Sequence, residues 1–163
     1  MIFVSWLLTD ILTDLKLTQK MGSAAGMTSS NALRYTLLVL AGPDSQTPYT
    51  ALQMAKSIIK QGYTLEQVFF YHQGVELGNA LRFVSSDEIN IQQAWQDFAK
   101  KQQLSLKVCI SAALRRGVAD ADESQRYELM AANLADAFEL VGLGSLVEAT
   151  TASDRVISLG AGQ

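Results

Sequence analysis

The segment Tyr35-Thr36-Leu37-Leu38-Val39-Leu40 is apolar at nearly every position and shows no alternation. A strand with one wet face alternates, so a strand without alternation is covered on both faces, as parallel sheets require. Ala41-Gly42-Pro43-Asp44-Ser45 breaks this run. Ala51, Leu52, Ala55, Ile58 and Ile59 then recur at helical spacing, and Gly62 supplies a stop. Gln67-Val68-Phe69-Phe70-Tyr71 reads as a second strand. Strand, helix, strand in that order is a βαβ unit, whose crossover is right-handed.

The alternation continues downstream. His72 to Phe83 reads as a loop with Gly74 and Gly78 and one short helical turn. Ser85-Ser86-Asp87-Glu88 offers a capping box for a helix carrying Ile91, Ala94, Trp95 and Phe98. Leu104 to Val108 is the next strand. Asp120-Ala121-Asp122-Glu123 caps a helix whose apolar stripe is Tyr127, Met130, Leu134, Phe138 and Val141, ended by Gly142 and Gly144. A short helix around Leu146-Val147 and a last strand, Arg155 to Leu159, complete the pattern. The expected fold class is α/β: a single compact domain, with a mostly parallel sheet of four to five strands and helices on both faces.

With 48% hydrophobic and 18% charged residues, the chain has the composition of a folded domain. Its net charge of -3 disfavours a dedicated nucleic-acid surface. No Gly-x-Gly-x-x-Gly follows the first strand, and Walker and Gly-x-Ser-x-Gly sequences are absent, so dinucleotide, P-loop and serine-hydrolase chemistry have no motif. Residues 1–30 are read as an extension outside the domain of residues 31–163. Ile2 to Leu8 is too short to span a bilayer, and no basic residue precedes it as in a secretory signal. Ile11, Leu12, Leu15 and Leu17 fit an amphipathic helix, and Met21 to Ser30 reads as a flexible linker. Disorder, a start at Met21 or Met27, a helix that packs on a partner, and a weak membrane contact are the open readings of this extension.

Chemistry centres on Cys109, the only cysteine in 163 residues. An internal disulfide is impossible, and one Cys with one His gives no zinc set. A lone cysteine without a disulfide partner fits a reducing compartment. Cys109 follows a strand, and the carboxyl ends of parallel strands are where α/β sheets place their sites. Two readings stay open. Cysteine packs as a small buried hydrophobe, or a helix starting just after it favours a thiolate or persulfide anion through its unpaired amides. Arg115 and Arg116 either lend positive charge to such a site or satisfy carbonyls at a helix end before Gly117. His72, the sole histidine, follows a strand and either approaches the same sheet edge or lies on the surface.

The run Cys109-Ile110-Ser111-Ala112-Ala113-Leu114-Arg115-Arg116-Gly117-Val118 resembles the active-cysteine segment of the TusD/DsrE sulfurtransferase family. Gly42-Pro43, Val68-Phe69-Phe70-Tyr71-His72-Gln73-Gly74-Val75, Ser86-Asp87-Glu88 with Ala94-Trp95, Gly142 to Ala149 and Asp154-Arg155-Val156 match in order, so the resemblance covers about residues 34–159. It implies a DsrE-like fold and a cytoplasmic heterohexamer with TusB-like and TusC-like subunits. Cys109 would accept a persulfide sulfur from a TusA-like donor and pass it to a TusE-like acceptor, for 2-thiolation of a tRNA wobble uridine. Ile110 and Ser111 amides, with Arg115 and Arg116, would stabilise the persulfide anion. No cofactor, metal, direct nucleic-acid contact or membrane contact is implied. The alternatives are a DsrE-like subunit of dissimilatory sulfur oxidation and a non-catalytic, flavodoxin-like interaction subunit in which Cys109 only packs. The extension at residues 1–30 has no counterpart in the family pattern, and the Pro48-interrupted loop Asp44 to Pro48 is expected to reshape the rim of the site.

Overall fold

The computed structural model describes residues 32–160; the extension read at residues 1–30 lies outside the described residues. Five strands form one sheet: β1 (Arg34–Val39), β2 (Thr64–Phe70), β3 (Leu106–Cys109), β4 (Phe138–Val141) and β5 (Arg155–Leu159). Their spatial order is β4-β3-β2-β1-β5, and every pairing is parallel. The helices are α1 (Thr47–Lys60), a 3₁₀ helix (His72–Gly78), α2 (Ile91–Gln102), α3 (Ile110–Leu114), α4 (Ala121–Arg126) and α5 (Leu143–Ala152). The expected α/β class, parallel sheet and two-faced helix cover are all present.

The order of strands dictates where the helices go. From β1 to β4 the chain steps in one direction across the sheet, then returns past all of them to place β5 beyond β1. Right-handed crossovers send the first three connections over one face and the last over the other. The register agrees. Leu37, Val39, Val68, Phe70, Leu106, Val108 and Phe138 share the face packed by α1 and α2. Trp95 of α2 meets Phe70 edge-on with ring centroids 5.4 Å apart, and Phe70 meets Phe138 at 5.6 Å. Each such fully buried side chain contributes about 1.5–3 kcal/mol of transfer free energy. On the opposite face, α5 reaches Gln67 through Ser145 and Thr36 through Ser153, at 3.4 and 2.8 Å.

Three expectations are corrected. The helix stripe assigned through Phe138 and Val141 does not exist: α4 stops at Arg126, and Phe138–Val141 is strand β4. Asp120 does cap α4, accepting from the Glu123 amide at 2.9 Å, but Tyr127 and Met130 are exposed beyond the helix. The capping box at Ser85 to Glu88 is a turn outside the helix; Asn90 caps α2, accepting from the Gln93 amide at 3.0 Å. An Asn adjoining the helix captures the orphan amide that the more distant Ser cannot reach. Pro48 does not interrupt a loop but sits in the first turn of α1, where its missing N–H costs nothing.

Lys107 and Ser105 both donate to Glu139 across the β3–β4 pair. The Lys107 hydrogen bond, helped by Ser105, holds the Glu139 carboxyl below its ordinary value of 4.5. A lowered carboxylate stabilises the fold above its unfolded pKa, and this is lost as pH falls through the folded one. Glu139→Gln is therefore expected to flatten stability against pH below 4.5. Glu139 is half exposed, so the change is no more than about 1 kcal/mol after solvent screening. Urea melts at a series of acidic pH values measure it.

Candidate functional site

The reversal in strand order fixes the site. The connection leaving β3 goes to one face and that leaving β4 goes to the other, so the carboxyl ends of these neighbours part and leave a crevice. Cys109 is the last residue of β3, paired with Val141 of β4. It is also the residue before the first turn of α3, with extended backbone at φ -63° and ψ 113°. The helix starts directly on the cysteine, so the first amides of α3, from Ile110 and Ser111 onward, have no carbonyl partner within the helix. Gly117, at φ 69°, ends the segment and lets Val118 N–H return to the Ala113 carbonyl at 3.0 Å.

A cavity of about 510 Å³ adjoins the sulfur. Cys109, Ser111, Arg115 and Arg116 line it, together with Tyr71, His72, Ala112 and Leu143. Ile110 does not line it and is placed only by its backbone. Cys109 itself is 1% exposed. The two arginines differ. Arg116 lies 3.4 Å from the Glu76 carboxylate and donates to the Ala112 carbonyl at 3.4 Å, so its charge is already shared. Arg115 is exposed and has no ion pair among the described residues. Apart from the thiol and the Tyr71 phenol, the charged or titratable side chains on the cavity wall are His72, Arg115 and Arg116, all basic.

The loop that delivers His72 is held by close backbone approach. Tyr71 N–H donates to the Val39 carbonyl at 2.9 Å, and Gly74 N–H donates to those of Leu40 and Tyr71 at 3.1 and 2.9 Å. A Cβ on Gly74 would stand 2.3 Å from the Val39 oxygen. This turn forces His72 to φ 53°, an uncommon conformation for a residue with a side chain. Of the open readings of His72, sheet-edge approach and exposure both hold: it is exposed and on the cavity wall. Phe69 and Phe70 are core, whereas Tyr71 reaches the cavity. Tyr71 and Leu143 escaped sequence reasoning: one looked like strand core, and the other follows the strand that was read as a helix.

The DsrE/DsrF-like family profile matches residues 34–159. The chain belongs to that family. Within the family, it is 45% identical over 128 residues to the sulfurtransferase TusD homolog of Vibrio vulnificus strain CMCP6, covering 78% of this chain and 98% of that protein. It is 46% identical over 129 residues to sulfurtransferase TusD of Photorhabdus laumondii, with the same coverage of 78% and 98%. Identity to sulfurtransferase TusD of Yersinia pestis strain Pestoides F is 43% over 129 residues. The crystal structure of the ychN protein from E. coli superposes with a TM-score of 0.61 at 20% identity, covering 79% of this chain and all of that one, a likeness of fold. This DsrE/DsrF-like chain thus presents its cysteine at the switch point of its sheet. Among its described residues no group of three or more His, Cys, Asp or Glu is arranged for a metal, and no helix is long and apolar enough to cross a membrane.

Proposed function

We propose that this DsrE/DsrF-like chain is a sulfurtransferase in a cytoplasmic sulfur relay, with Cys109 as the residue that bears the sulfur. The observation that carries the reading is the position of Cys109 at the switch point, on the wall of a cavity rimmed by Arg115, Arg116 and His72. The Cys109 thiolate attacks the outer sulfur of an incoming persulfide. The new bond joins Cys109 to that sulfur, and the old sulfur–sulfur bond breaks with its electron pair leaving on the donor thiolate. The product is a Cys109 persulfide, and nothing is oxidised or reduced overall. The amides of Ile110 and Ser111 and the Arg115 guanidinium favour its anion. A second thiolate then removes the outer sulfur by the same displacement. This exchange calls on no cofactor.

The family resemblance supplies the rest of the reading: a TusA-like donor, a TusE-like acceptor, TusB-like and TusC-like companions, and 2-thiolation of a tRNA wobble uridine as the destination. Exposed apolar side chains support an assembly. Leu81, Phe83 and Met130 are 75%, 86% and 106% exposed. The loops carrying them are tied together by Ala80 N–H to the Asn133 carbonyl and by Asn133 to Asn79.

One observation favours the packing reading of Cys109 instead, namely its burial. Single-turnover transfer of labelled sulfur from a persulfide donor, through this chain, to a thiol acceptor decides between them. Transfer through the folded chain is the expected result. A thiol that takes no sulfur or alkylating agent until the protein unfolds assigns Cys109 to the core. Within the same assay, Arg115→Ala is expected to slow sulfur uptake several-fold with the unfolding midpoint unchanged. Arg116→Ala is expected to shift the midpoint as well, because Arg116 also ties α3 to Glu76.

A further inference from the structure

On the face of the sheet packed by α1 and α2, residues of the two helices line a groove of about 500 Å³. Its apolar lining is Ile59, Ala94 and Phe98, and its rims carry Lys56, Lys60 and Lys101. We infer that this groove is a docking site for an acidic amphipathic helix of a partner protein, separate from the Cys109 cavity.

Charge distribution carries the inference. The chain as a whole is acidic, at -3. Yet the described residues hold five lysines, at positions 56, 60, 100, 101 and 107, and three of them line this one groove. None of the three is ion-paired among the described residues. The single carboxylate present, Asp97, is turned along its own helix to accept from Gln93 at 2.8 Å. Complementing a helix dipole accounts for Lys60 and Lys101, which lie in last turns. It does not account for Lys56, one turn further in. Like charges lining one groove repel one another, and an anionic partner relieves that repulsion.

An apolar floor between basic rims is the complement of a helix with an apolar stripe flanked by Asp or Glu. A polyphosphate is a poorer occupant. The groove offers no arginine fork and no aromatic face on which a base would stack; Phe98 is buried. Location adds a functional point. Lys60 leads through Gly62 into the amino end of β2, while Cys109 ends β3 at the opposite pole of the sheet. A partner seated here leaves the cysteine cavity open to another.

The test titrates the full chain with a short amphipathic peptide of Leu and Glu at helical spacing, against its Gln counterpart and a single-stranded oligouridylate. Backbone amide shifts report the location. The expected result is binding of the Glu peptide, with perturbations centred on Ile59, Ala94 and Phe98. The combined reversal Lys56→Glu, Lys60→Glu and Lys101→Glu is expected to weaken it about tenfold. Reversal of Arg126, which lies on α4, is expected to leave binding unchanged. Equal binding of the Gln peptide, perturbations elsewhere, or tighter binding of the oligouridylate overturns the proposal. Should the triple variant unfold, the shift map on the native chain decides alone. Persulfide loading of Cys109 is read separately and is expected to be unaffected by the reversals, so failure here and failure of the sulfur-transfer reading are distinguishable.

Discussion

Cys109→Ser is expected to abolish sulfur loading while leaving the fold in place. Incubated with a persulfide donor, the native chain should gain the mass of one sulfur, about 32 Da, in a form that thiol reductant removes. The variant should gain nothing. Serine is close in size to cysteine, but its hydroxyl is a poor nucleophile at neutral pH, so chemistry and packing are separated. The site is nearly closed, with 1% of Cys109 exposed, and burying a hydroxyl there costs about 1–3 kcal/mol unless it finds an acceptor. A measured unfolding midpoint for both chains keeps that cost apart from the loss of loading. A sulfur adduct of equal yield on the variant would remove Cys109 from the mechanism.

Gly74→Ala is expected to be the most damaging single methyl group in the domain. Its Cβ would meet the Val39 oxygen at 2.3 Å and the Val39 carbonyl carbon at 3.1 Å, both backbone atoms of β1, a strand paired on both sides. Neither can swing aside as a side chain does. The strand or the 3₁₀ helix must move, at a cost of roughly 3 kcal/mol. The same movement carries Tyr71 and His72 away from the cysteine cavity, so sulfur uptake should fall with stability. Gly62→Ala is the control. Gly62 has φ 80° with nothing within 4 Å of the added carbon, so it should cost only about 1 kcal/mol, from backbone conformation. Urea denaturation of the two variants compares them. Similar losses would mean that the turn at Gly74 adjusts without strain.

How far the sequence carried the fold can be followed strand by strand. β1 and β2 were legible because apolar runs between helical periods have few other interpretations, and β3 and β5 because Leu104 to Val108 and Arg155 to Leu159 are short apolar-rich segments that follow helical ones. β4 was not. It has only four residues, too few to establish a period. Tyr127, Met130, Leu134, Phe138 and Val141 happen to recur at intervals of three and four, which imitates a helix stripe. The helix stops at Arg126, Glu128 takes φ 51° just after it, and Ala137 takes φ 67° immediately before the strand; neither a glutamate nor an alanine gives warning of this. The position of Cys109 at the end of a parallel strand was legible in the same way. That this end is the switch point was not, because seeing it requires β4 and the reversal that follows. His72 was visible only as a residue after a strand; its entry to the cavity depends on the Gly74 contact, which no local pattern encodes.

The closeness of Cys109 to full burial also bears on the fate of a sulfur once it is loaded. Persulfides are consumed by stray thiols and oxidants that reach the outer atom, and such reactions follow accessibility. A cysteine sealed between β4 and the 3₁₀ helix would keep its cargo from glutathione and peroxide between encounters. The lifetime of the loaded state would then be set by how often the crevice opens, and a partner that holds it open would govern the timing of delivery.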